Sequence, residues 1–78
     1  MATITHMNEP LTVLIEHAAQ LAWDVLERSG ELGEPRNASN FLVDAIAHLT
    51  SRGEHRQLVL ANRAIDFYRQ QRRLGLIV

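Results

Sequence analysis

Three stretches of this chain space their apolar residues three and four apart, so that at 100° per residue each set falls on one face of a helix. The first set is Leu11, Leu14, Ile15, Ala18, Leu21, Ala22, Val25 and Leu26, with Glu16, Gln20, Asp24 and Glu27 opposite. The second is Ala38, Phe41, Leu42, Ala45, Ile46 and Leu49, and the third Leu58, Ala61, Ile65 and Tyr68. Asn8, Glu9 and Pro10 suit the start of the first helix, where the leading amides have no helical partner. Glu34, Asn37 and Ser39 are alternative caps for the second, and Gly30 and Gly53 are placed to end the first two. The spacing predicts helices over 9–29, 36–52 and 54–73, a flexible segment over 1–8 and an apolar tail over 74–78. The expected fold class is all-α, a small three-helix or orthogonal helical bundle. Residues 30–37 form the one clear loop, with Leu32 available to plug the end of the bundle.

Seventy-eight residues make one domain, and one of narrow margin, because a chain this short buries only about 60% of the surface its unfolded form exposes. Disulfides, metals and self-association are the usual remedies. The chain has no cysteine, which removes the first. Its four histidines, His6, His17, His48 and His55, include no pair three or four apart, which argues against the second. Self-association is left as the expected remedy. No signal peptide or membrane-crossing stretch is evident, and the lack of cysteine fits a reducing compartment, so a cytoplasmic location is expected. All eight basic residues are arginine, as GC-rich bacterial coding produces. His6-Met7 is the dipeptide an NdeI site encodes, so residues 1–6 read either as a leader or as a native, frayed start.

The third helix carries a second apolar set, Leu60, Ala64 and Phe67, about 100° round from the first. A surface helix needs one stripe. The chain then ends in Leu74-Gly75-Leu76-Ile77-Val78, and Trp23 sits at the edge of the first helix's stripe. Taken together, Trp23, Leu60, Ala64, Phe67, Leu76 and Ile77 are the expected interface residues, with arginines and acids at the rim. In the competing account helix three contacts both other helices and the tail folds back. Charge is divided along the chain. Residues 1–35 hold six acids and one arginine, a net of −5, and residues 36–78 hold seven arginines and three acids, a net of +4. Such a division orients helices within one bundle, or acidic and basic halves across a dimer.

Catalytic chemistry is not expected. Glu27 and Glu31 read as solvated positions, Asp24 and Arg28 as an exposed i,i+4 pair, and His48 as a partly buried histidine beside Phe41. Gly30-Glu31-Leu32-Gly33 lacks the lysine and spacing of a phosphate loop, and no cofactor is implied. Nucleic acid is the competing partner. Ala47 to Val59, with Gly53 at the turn, has the outline of a helix-turn-helix, and Arg56, Arg63, Arg69 and Arg73 are the side chains that would meet DNA. Leu49 stands where that motif wants a small residue, and a pI of about 6.4 lacks the expected basic footprint. Asp66 and Asn62 lie on the face that would have to meet anionic lipid, which argues against a membrane surface. The expected function is therefore a small interaction module, a homodimer or an accessory subunit, docking by a hydrophobic helix face. The alternative is a nucleic-acid-binding regulator using the arginines of helix three.

Overall fold

A computed structural model describes residues 2–77, with side-chain placement from Leu11 onward. Three helices follow in order: α1 (Ala2–Arg28), α2 (Pro35–Ser51) and α3 (Gln57–Arg73). Each packs on the other two. The bundle measures 46 × 22 × 19 Å, its long axis close to the ~40 Å that 27 helical residues span.

The first helix begins at Ala2 rather than at the expected Glu9, so Asn8 lies within it and is not a cap. Adding residues to a formed helix fixes one residue per new hydrogen bond, whereas starting one fixes several. Pro10 costs this helix a backbone hydrogen bond and crowds the preceding turn, yet the helix continues through it. The second helix meets expectation closely. Glu34 caps it, accepting from the Asn37 N–H at 2.8 Å, and Pro35 fills the first position, where a missing N–H is harmless.

Gly30 and Gly53 take φ of +74° and +104°, a left-handed conformation that a Cβ would oppose. At both, two backbone bonds close the helix end. Glu31 N–H donates to Leu26 O at 2.8 Å and Gly30 N–H to Glu27 O at 3.1 Å, while Glu54 N–H donates to Leu49 O and Gly53 N–H to Thr50 O. This is the Schellman arrangement. It also explains why α3 starts at Gln57 and not at Glu54. Glu54 is committed to closing α2, and its carboxylate accepts from the Arg56 N–H at 3.0 Å, holding Arg56 extended.

The core comprises Ala18, Ala22 and Leu26 of α1, Ala38, Leu42, Ile46 and Leu49 of α2, and Leu60, Ala61, Ala64, Ile65 and Tyr68 of α3. Small residues on α1 and α3 let the backbones approach, and Leu and Ile from α2 fill the space between. Residues from both apolar sets of α3 are thus inside, because α3 faces two neighbours and needs a stripe for each. Leu60 and Ala64, expected at an interface between molecules, are wholly buried, and Leu58, expected in the core, is 69% exposed at the start of α3.

Candidate functional site

The α1–α2 loop is held by the last turns of α3. Tyr68 lies wholly buried with its ring edge-on to Phe41, centroids 5.9 Å apart, and its hydroxyl accepts from the Gly33 N–H at 2.8 Å. Arg69 grips the Glu31 carboxylate with Nε and Nη2, both at 2.8 Å. Arg72 donates to the Glu31 carbonyl. The paired arginine, helped by the Ser29 hydroxyl, holds the Glu31 carboxyl down at about 2 against an ordinary 4.5. Glu31 is therefore a cross-bundle anchor, not the solvated position its spacing from Glu27 implied. Gly30, Glu31, Tyr68, Arg69, Arg72 and Arg73 line a shallow depression of about 390 Å³ here. With the Glu31 carboxylate already occupying two guanidinium donors, its chemistry is that of a structural clasp.

Surface not used in folding lies on the two flanks of α1. On one, Glu16, Ala19, Gln20 and Trp23 meet Ser39, Leu42 and Val43 of α2 in a groove of about 470 Å³. Trp23 is half-buried there, packed partly on the core. That contact identifies the α2-facing flank of α1, so the opposite flank, Leu14–Leu21–Val25, faces α3. In the same way, Tyr68 on Phe41 marks the α2-facing flank of α3, so Leu60–Ala64–Phe67 faces α1. Along this second seam Val25 remains 43%, Phe67 38% and Leu74 61% exposed. Phe67 and Leu74 stand seven residues apart and fall on one edge of α3.

The six residues expected at an interface therefore do not form one patch. Leu60 and Ala64 are core. Ile77 is half-buried against the core, so the tail folds back at that point, while Leu76 is 64% exposed. Trp23 and Phe67 lie on opposite flanks of α1. Val78 lies outside the described residues. Val25 and Leu74 join Phe67 although the sequence pattern did not single them out for this. By spacing Val25 belongs to the core stripe, and only a packed α3 reveals that it stops at the rim.

The arginine set is divided too. Arg69 is engaged by Glu31, and Arg56 pairs with Glu54 at 3.0 Å. Residues 52–56 connect α2 to α3, one residue more than the three or four usual in a helix-turn-helix. Arg63 and Arg73 are exposed on α3. His48 is exposed rather than tucked beside Phe41, because it sits on the outer side of α2 while Phe41 turns toward Tyr68. Asp24 accepts from Gln20 at 3.0 Å in place of the expected Arg28 pair. Among the described residues no cluster of three or more metal-ligating side chains occurs, and no helix is long and apolar enough to cross a membrane.

No family model matches the chain. Neither a curated protein nor a solved structure is significantly similar to it.

Proposed function

We propose that this chain is a non-catalytic helical interaction module that associates through the α1–α3 seam, foremost with a second copy of itself. The observation that carries this reading is the exposure of Val25, Phe67 and Leu74, large apolar side chains that helical spacing places along the α1–α3 edge and that the buried core does without. Covering such side chains contributes about 25 cal/mol for each Å² removed from water. A half-exposed aromatic at the centre of a patch is the usual anchor of a protein interface. The narrow stability margin of a short cysteine-free chain points the same way.

The test is the solution mass, by size-exclusion chromatography with light scattering, at several concentrations and two salt levels. The expected result is a mass above 8.8 kDa that rises with concentration and persists, though weakened, at high salt. Phe67→Glu should remain folded and lose the assembly. A monomer of 8.8 kDa at every concentration would overturn the proposal.

A further inference from the structure

The polar residues around the two flanks of α1 differ in charge. Beside the Trp23 groove stand Glu16 and Glu27, with Gln20 between them on the same side of the helix. The next residue after each glutamate turns 100° away, and these are His17 and Arg28, which border the Val25 flank. Across that seam α3 adds Arg63 and Gln70 on the edge that carries Phe67 and Leu74. Arg36 also borders the groove from α2, and Asp24 stands beside Arg28 on the other flank, so the groove keeps a net negative border and the Phe67 edge, through Arg28 and Arg63, a net positive one. A symmetric contact of the Phe67 edge with itself would gather Arg28 and Arg63 of both copies into one interface, a surplus of like charge that disfavours association.

We infer that the Phe67 edge of one copy docks into the Trp23 groove of the next, Phe67 and Leu74 entering beside Trp23 and Val43 while Arg63 and Arg28 meet Glu16 and Glu27. This rests on the self-association proposed above and names its geometry. The contact joins two different surfaces, so it leaves one of each kind free and continues into a ring or an open chain. The acidic first half and basic second half of the sequence acquire a use between molecules. Among the described residues of one molecule, the side-chain bonds between charged groups of the two halves are those of Glu31 with Arg69.

Charge exchange tests it. Arg63→Glu and Glu16→Arg alter exposed positions outside the core, and thermal melting of each dilute variant checks that it folds. Each alone should raise the concentration at which assembly is half-complete by about fivefold, the effect of roughly 1 kcal/mol at a rim charge. Mixing the two variants should restore assembly, because the edge made acidic then meets the groove made basic, and the unaltered surfaces meet each other. Trp23 is the single tryptophan, and its emission should move to shorter wavelength as wild-type protein is concentrated. Wild-type assembly that neither variant weakens, or a mixture no stronger than its components, would overturn this geometry while leaving self-association standing. A wild-type chain that stays monomeric would overturn both.

Discussion

The chain reverses twice, at Gly30-Glu31 and at Gly53-Glu54, with the same backbone closure and a glutamate in the same place after the glycine. The two glutamates differ in their partners. Glu31 is gripped by Arg69, 38 residues away, and its loop is also fixed by Tyr68. Glu54 is gripped by Arg56, two residues on. The first corner takes its side-chain anchors from α3, whereas the second is braced by its own chain neighbours. One motif thus serves long-range assembly in one place and local chain direction in the other. The two ion pairs look alike by geometry and carry different consequences for cooperativity.

The largest effect expected from breaking this comparison is that of Tyr68→Ala. It removes a fully buried ring, its contact with Phe41 and the Gly33 acceptor, at a cost of about 3–5 kcal/mol. A domain of this size should then be largely unfolded by urea titration, with no single change at the second corner matching it. Next come Gly30→Ala and Gly53→Ala, each about 1–2 kcal/mol from forcing a Cβ into the left-handed region, with nothing within 4 Å of either added Cβ. Near-equal losses in chemical denaturation would show that the backbone closure itself is the same at both corners. Tyr68→Phe isolates the hydroxyl, and leaving the Gly33 N–H without its acceptor should cost about 1 kcal/mol.

The smallest and most discriminating effect is the response to acid. Both Glu31 and Glu54 sit near 2 in the folded chain, below the ordinary 4.5. A lowered carboxyl contributes stability above pH 4.5, and that contribution fades as pH falls from 4.5 toward 2. The Glu54–Arg56 pair is local enough to persist in the unfolded chain, which lowers its carboxyl there as well and shrinks the difference. Glu31→Gln should therefore flatten the loss of melting temperature between pH 4.5 and 2 more than Glu54→Gln does. Equal flattening would show that the long-range and local pairs are energetically equivalent.

Much of the fold was legible because helical periodicity is a local property. The stripes of α1 and α2 and the glycine stops at 30 and 53 were set by neighbours within a turn or two. Whether Leu60 and Ala64 face another helix or another molecule depends on how many partners α3 has, which periodicity does not encode. Leu58 shows the converse, a residue in good register with the core that is left in water in the first turn of α3. The Glu31–Arg69 clasp spans 38 residues and had no local signature. A signal did exist for Tyr68: a tyrosine on a core stripe must bring its hydroxyl to some partner. Of the surface, Trp23 and Phe67 were legible as surplus, but their placement on opposite flanks required the packed bundle.

The bond from Gly33 to Tyr68 has a consequence for how the protein is made. Chains are synthesised from the N-terminus at about 5–20 residues per second, so Tyr68 is added about 2–7 s after Gly33. Throughout that interval the loop lacks hydroxyl and guanidinium anchors alike, since Arg69 and Arg72 follow Tyr68. The first corner therefore takes its final form only after nearly all of α3 has been made, although its glycine is in place before α2 begins.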